Sequence, residues 1–120
     1  MIERWAAAVH VGDLAAVIDD HDPNIVMFDV PPPEGGVRGI DEYTRTWPPF
    51  FEWQQSGATF DIDELHVTAG NDVAWAWALL RCGSTDDDRH TPDRRLRRTV
   101  GLRKHGDRWI VAHEHHSFTT

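Results

Sequence analysis

Basic residues are in the minority in this chain, and it has very little cysteine. Lys and Arg together number 12 against 20 Asp and Glu, which gives a net charge of −8 at pH 7. Because phosphate backbones are bound by basic surfaces, this balance argues against a nucleic-acid partner. The single cysteine, Cys82, excludes an internal disulfide and fits a reducing compartment.

Long apolar runs are also missing. No run approaches the ~18 residues that a membrane-spanning helix needs, and the start of the chain lacks a basic segment followed by an apolar one. We therefore expect a cytoplasmic protein with no membrane partner. The 120 residues show no repeat or linker and suit one domain, residues 1–120, with one core.

The stretch 72–82 alternates small and large side chains. Successive strand side chains point to opposite faces, so one face carries Ala74, Ala76, Ala78 and Leu80 and the other carries Val73, Trp75, Trp77 and Leu79. This division predicts a long strand that bends around a hollow on its alanine side. The alternative is that the alanines let a helix pack closely on the sheet.

Helical signals fill most of the first half of the chain. Apolar residues at helical spacing predict a first helix that ends at Gly12 and a short second helix capped by Asp13. A short strand is predicted at 25–29. A third helix is predicted to begin at Ile40 and to be broken or kinked by the prolines at 48–49.

The second half predicts strands. Apolar residues lie at even positions before Asp63 and Glu64 and at odd positions after them, which indicates a bulge that bends a strand. The polar segment 83–93 is predicted to be a mobile loop. The last strand is predicted to carry Trp109, Val111, His113 and His115 on one face and Ile110, Ala112, Glu114 and His116 on the other; the resemblance described next implies that the second set faces the pocket. Helices followed by antiparallel strands predict an α+β fold with the helices on one face of a bent sheet.

This order of elements resembles the nuclear transport factor two-like superfamily, which includes ketosteroid isomerases and SnoaL-like polyketide cyclases. The resemblance is carried by Arg4-Trp5, Val11-Gly12-Asp13-Leu14, Phe28-Asp29-Val30-Pro31, Gly39 and the segment 106–117. It implies a cone-shaped, curved antiparallel sheet with the N-terminal helices packed on its concave face, as in cystatin-like folds. It also implies one small-molecule pocket under that face and, commonly, a homodimer through the convex face.

The resemblance assigns the two faces of the sheet. Substrate-binding residues are expected to be Trp5, Tyr43, Trp47, Phe51, Ala76, Arg98, Val100 and Ala112. The homodimer is expected to form through Trp75, Trp77, Trp109, His113 and His115, since exposed tryptophans in a row would otherwise leave an apolar patch. In the opposite assignment the tryptophans fill the core.

Asp29 is the leading candidate for chemistry. It lies where ketosteroid isomerases carry the aspartate that moves a proton between carbons, and Glu114 and His116, on one strand face, would complete an acid and base set. In the structural alternative, Asp29 caps nearby backbone amides, while Glu114 and His116 bond to each other or to Arg98. Arg98 is also a candidate to bind an anionic group of the substrate.

The chain departs from the ketosteroid isomerases where they stabilise the enolate. They use a tyrosine of the first helix and a protonated acid on a late strand, and here those positions hold Trp5 and Val100. Steroid isomerisation is therefore disfavoured, whereas a SnoaL-like reaction on an already acidic carbon needs fewer fixed groups. No cofactor is expected, and a metal site at His113, His115 and His116 is disfavoured because it would need a further ligand from elsewhere.

Two functions remain at this point. In the first, the pocket binds a small, largely apolar carbonyl compound, and Asp29 with His116 moves protons on it, as in a cofactor-independent isomerase, cyclase or dehydratase. In the second, the protein is a non-catalytic ligand-binding or dimerisation module.

Overall fold

The computed structural model describes residues 1–119, apart from the side chains of residues 85 and 88. Its helices are α1 Ile2–Val11, α2 Leu14–Ile18, α3 Ile40–Arg45, α4 Trp47–Gln54 and α5 Thr85–His90. Its strands are β1 His21–Phe28, β2 Val37–Arg38, β3 Thr59–Ala69, β4 Val73–Gly83, β5 Leu96–His105 and β6 Arg108–Phe118. Within the described residues, none of these helices has both the length and the apolar character needed to cross a bilayer.

The strands form one curved, open sheet in the order β2-β1-β6-β5-β4-β3. β1 and β6 run parallel, and the other neighbouring strands run antiparallel. Buried residues of α1, α3 and α4 share a core with the inward faces of β4 and β5. The predicted α+β fold, with helices on the concave face of a bent sheet, is confirmed.

The junction between α1 and α2 forms as its sequence predicts. Gly12 ends α1 with a φ of 75°, in the left-handed region that favours glycine. The side chain of Asp13 then accepts a hydrogen bond from the Ala16 backbone N–H at 3.2 Å, which caps the first turn of α2. Trp5 and Val9 on the apolar face of α1 are buried.

One local prediction is confirmed and another is wrong. The helical segment that begins at Ile40 is broken at Thr46, and the prolines at 48–49 lie in the first turn of α4, where the N–H that proline lacks is not needed. The predicted loop 83–93 contains α5. Ser84 and Asp87 form a capping box there, with 3.1 Å between each side-chain oxygen and the other residue's backbone nitrogen, and this motif starts a helix in a polar segment.

The division of β4 into a small and a large face is confirmed. Ala76 and Leu80 are 0% exposed, whereas Trp75 on the opposite face is 50% exposed. The alternative in which the tryptophans of β4 fill the core is therefore wrong. The predicted bulge is also present, because Asp63 is the extra residue where the register of β3 shifts against β4.

A second bulge changes the faces of β6. Gly101 of β5 pairs with His113, and the next residue, Leu102, pairs with Val111, so Ala112 is an extra residue in β6. The predicted faces are therefore right from His113 onward and wrong before it. Val111 is buried in the core, and Trp109 packs against that core rather than lying on the convex face.

Candidate functional site

A cavity of about 240 Å³ opens beside α4, the segment after β1 and the ends of β3 to β6. Most of its wall is aromatic or aliphatic, while Asp29 contributes a carboxylate and His116 an imidazole. We call it the Asp29 cavity, and its lining residues are Asp29, Val30, Pro31, Thr46, Trp47, Phe50, Trp53, Phe60, Cys82, Leu96, His116 and Phe118. An apolar cavity with a few ionisable groups is the usual form of a small-molecule site.

Asp29 is held in place through one of its two carboxylate oxygens. It directly follows β1, and its Oδ1 accepts a hydrogen bond from the Val30 backbone N–H at 2.8 Å. The same Oδ1 lies 3.2 Å from Nδ1 of His116. The side chain is 26% exposed, and among the residues that the structure describes no hydrogen bond to Oδ2 is formed. Oδ2 is therefore the oxygen that is available to a ligand.

His116 lies between two carboxylates. Its Nδ1 faces Asp29, and its Nε2 lies 3.2 Å from Oε2 of Glu114. Burial alone would lower the pKa of His116, but the hydrogen bonds with Asp29 and Glu114 outweigh it and raise the pKa above its ordinary value of 6.5. The two carboxylates therefore favour the protonated imidazole more than water does for a free histidine.

Glu114 is fully buried at the centre of a polar cluster. Its Oε1 accepts hydrogen bonds from Arg98 Nη2 at 2.7 Å and Tyr43 Oη at 2.9 Å, and it lies 3.1 Å from His21 Nε2. Burial would raise the pKa of Glu114, but Arg98 and the two histidines together hold it well below 4.5. We call these residues, Glu114, Arg98, Tyr43, His21 and His116, the Glu114 cluster, and its central carboxylate is a fixed negative charge.

Tyr43 and His21 complete the cluster on its far side. Burial and the charge of Glu114 hold the pKa of Tyr43 well above 10.0, so its hydroxyl stays protonated and can donate. His21 Nδ1 donates to the Asp19 carbonyl oxygen at 2.7 Å, and only 2% of the His21 side chain is exposed. Both residues support Glu114 and do not line the Asp29 cavity.

Arg98 also faces Glu114 rather than the cavity. Its side chain is 1% exposed, and its guanidinium lies 3.6 Å from the centre of the Trp5 ring, a cation–π contact. Arg98 is the β5 partner of Ala78, and Ala78 is buried. The short side chain of Ala78 therefore makes room for this stacked pair, and the space beneath it is packed. The predicted role of Arg98 toward an anionic substrate finds no support at this cavity.

The predicted site residues fall into three groups. Asp29, His116 and Trp47 meet at the cavity, and Glu114, Tyr43 and Arg98 form the buried cluster behind it. The remaining predicted ligand contacts lie outside the cavity wall: Trp5, Phe51, Ala76 and Val100 are core residues, and Ala112 is the bulge residue. The Asp29 cavity thus lies at the Cys82 end of β4, not beneath Ala76. A second cavity of about 270 Å³ is lined by Ala74 at the other end of the strand.

Several residues of the site were missed by sequence reasoning. Cys82 and Leu96 end the inward faces of β4 and β5, and their pattern predicts only burial. Phe118 ends β6, and its sequence pattern likewise predicts only burial. His21 precedes Asp22 and Pro23, in a stretch without apolar alternation, so no local signal indicates that it would contact Glu114.

Comparison with known proteins agrees with this architecture. A family model described as a SnoaL-like domain matches residues 1–120. An NTF2-like protein of unknown function from Pseudomonas putida is 34% identical, with 97% of this chain and 80% of that chain covered and a TM-score of 0.84. No protein among the curated ones matches the sequence.

Two more distant structures share the fold. A proposed ketosteroid isomerase from Shewanella frigidimarina is 21% identical over 97% of this chain and 90% of that chain, with a TM-score of 0.73. An NTF2-like protein with a cystatin-like fold from Novosphingobium aromaticivorans is 16% identical over 98% of this chain and 77% of that chain, with a TM-score of 0.76. At these identities the likeness concerns the fold alone.

Proposed function

The chain belongs to the SnoaL-like domain family, and from this membership we propose that the Asp29 cavity binds a small, largely apolar carbonyl compound and transfers protons on it. The observation that carries the proposal is the contact between Asp29 and His116 on the wall of an otherwise apolar cavity, 3.2 Å from Oδ1 to Nδ1. The reaction class is that of a cofactor-independent isomerase, cyclase or dehydratase.

Asp29 acts as the general base in this proposal. The Val30 N–H and His116 hold Oδ1, so Oδ2 is oriented to accept a proton from a carbon beside the carbonyl group. Asp29 then delivers that proton to another carbon or to a leaving hydroxyl. His116 orients the carboxylate and balances its charge, and Glu114 keeps His116 in place from the other side.

The substrate carbon must already be acidic. Trp5 and Val100, at the positions where ketosteroid isomerases stabilise the enolate, are buried outside the cavity wall. Without donors at those positions, the enolate oxygen receives little stabilisation from the protein. A carbon that lies between two carbonyl groups, or next to one carbonyl and an aromatic ring, meets this requirement.

Deuterium exchange tests the proposal. In deuterium oxide, the wild-type protein is expected to accelerate exchange at C1 of 2-tetralone, followed by proton NMR. Asp29→Asn is expected to lose about 10²-fold or more of that acceleration, since it removes the base. Asp61→Asn changes an exposed carboxylate on β3 and is expected to match the wild type. Equal exchange by wild type and Asp29→Asn would contradict the proposal, as would no acceleration by the wild type.

A non-catalytic binding module is the second candidate. It is favoured by the Glu114 cluster, whose ion pairs and hydrogen bonds are buried in the way that structural networks are. Under this alternative the cavity binds a ligand, and Asp29→Asn changes the affinity without changing any exchange rate.

We also propose that two copies pair through the convex face of the sheet. This face carries Phe28, Val73, Trp75, Trp77, His113 and His115, of which Val73 is 61% and Trp75 50% exposed. Apolar patches of this kind are seldom left open to water, and a second copy of the same sheet is self-complementary to it. Trp109 is not part of this surface because the bulge at Ala112 turns it to the other side.

A further inference from the structure

We propose that the Asp29 cavity selects ligands that present a hydroxyl donor, such as an enol, a phenol or an alcohol, over ligands of the same shape that present only an acceptor. This inference rests on the proposed role of the cavity as a ligand site. It rests on which polar atoms of the inner wall can still donate or accept a hydrogen bond to a ligand.

Asp29 offers only an acceptor. The Val30 N–H and His116 Nδ1 both contact Oδ1. The Val30 N–H therefore cannot donate to a ligand, and Oδ2 is the oxygen that can accept from one. An ionised carboxylate has no proton to donate. A ligand oxygen that meets Oδ2 must therefore bring its own hydrogen.

The other polar side chains at this end have no donor that a ligand can reach. His116 Nδ1 faces Asp29, and its Nε2 is fully covered by protein and faces Glu114. The Thr46 hydroxyl donates to the Tyr43 carbonyl oxygen at 2.7 Å, which leaves only the lone pairs of its oxygen. Thr46 thus has no hydroxyl hydrogen left to donate to a ligand.

The tryptophans of the wall do not change this result. Trp47 Nε1 is fully covered by protein, so it cannot reach a ligand. Trp53 also lines the cavity but is 39% exposed, so water competes with a ligand for its indole N–H. The Cys82 thiol is a weak donor in any case. Among the residues that the structure describes, the inner wall is thus dominated by acceptors.

The chemistry of the ligand follows from this arrangement. A ligand carbonyl or ether oxygen at the inner wall would meet carboxylate and hydroxyl lone pairs and would stay unpaired, whereas a hydroxyl would donate to Asp29. A 1,3-dicarbonyl compound meets both requirements, because its keto form has an acidic carbon and its enol form has a hydroxyl.

Two matched probes test the inference by binding alone. The wild type is expected to bind 2-naphthol at least about tenfold more tightly than 2-methoxynaphthalene, as measured by titration of the ligand fluorescence. Asp29→Asn adds an amide N–H donor and is expected to remove or invert this preference. Asp61→Asn, at an exposed carboxylate of β3, is the matched control and should keep the wild-type ratio.

The outcomes separate this inference from the proposed function. Selective binding of 2-naphthol without deuterium exchange of 2-tetralone would support hydroxyl selection and overturn proton transfer. Exchange without selectivity would overturn hydroxyl selection alone. A ratio near one in the wild type, or a ratio that Asp29→Asn leaves unchanged, contradicts the inference, and no binding of either probe contradicts both proposals.

Discussion

Arg98 Nη2 lies 2.7 Å from Glu114 Oε1, and the two side chains are 1% and 0% exposed. The pair joins β5 to β6 beneath the helices, and one side of it meets the Trp5 ring while the other meets His116. A buried pair of this kind is costly to break, because removing one charge leaves the other without water or a partner.

Glu114→Gln is expected to lower the free energy of unfolding by about 3–5 kcal/mol, since the buried Arg98 cation loses its counter-charge. Urea denaturation followed by circular dichroism measures the change. The matched control is Glu64→Gln, which breaks an exposed contact with His66 and should change stability by less than about 0.5 kcal/mol. Similar losses in the two variants would refute the central role given to Glu114.

Stability is expected to fall as the pH rises above about 6.5. The pKa of His116 is raised from 6.5 in the folded state, so its contribution is present below 6.5 and is lost as the pH rises through the raised value. His116→Gln should flatten this decline in unfolding measurements between pH 5 and pH 9, whereas His66→Gln, at an exposed site, should leave it as in the wild type. An unchanged slope in His116→Gln would show that the imidazole is not held as described.

At acid pH, stability is expected to fall as the pH is lowered. The folded-state pKa of Glu114 lies well below 4.5, so its contribution is present above 4.5 and is lost as the pH falls through the lowered value. The Glu114 cluster is thus expected to stabilise the fold most between about pH 4.5 and pH 6.5. Urea midpoints measured from pH 2 to pH 6 follow the loss of stability as the pH falls. If Glu114→Gln lost stability over this range as the wild type does, Glu114 would not be its source.

Ala76→Leu is expected to destabilise the protein by about 1–3 kcal/mol, because the space beneath this alanine is packed and extra methylene groups strain such a core. Ala76 is 0% exposed. Ala69→Leu, at an exposed end of β3, should change stability by less than about 0.5 kcal/mol. Thermal unfolding of the two variants compares them directly, and a neutral or stabilising Ala76→Leu would mean that the alanine side is hollow after all.

Trp75→Arg is expected to give monomers in equilibrium sedimentation if the convex face pairs two copies, since it places a charge in the middle of the apolar surface. Val67→Arg changes a residue that is 58% exposed but lies with Ala76 on the other side of the sheet, so it should keep the wild-type mass. A wild-type mass for Trp75→Arg would exclude this surface as the interface.

Much of the fold could be predicted because its signals are local. Alternation sorted the faces of β4, the phase shift at Asp63 located a bulge, and Gly12 with Asp13 marked the junction between α1 and α2. Asp29 and His116 could be proposed together because the family pattern places them on elements that converge, and the structure brings them to 3.2 Å.

The rest of the site depends on contacts between residues far apart in the sequence, which short sequence patterns do not indicate. The bulge at Ala112 is visible only through the register of β5, since the sequence of β6 alternates without interruption. His21 reaches Glu114 across 93 positions of the chain. The alanines of β4 do make space, as their size indicates, but whether Trp5 with Arg98 or a ligand fills that space is decided by three-dimensional packing.

The extra residue at 112 lets β6 keep Val111 and Glu114 on the same side of the sheet although an even-to-odd change separates them in sequence. Without residue 112, Val111 would still pair with Leu102 and His113 with Gly101, and regular alternation would leave Glu114 and His116 facing the core. The bulge therefore does not choose the face of the polar residues. Its effect is local, because a bulge bends and twists its strand, and here it does so just before Glu114 and His116.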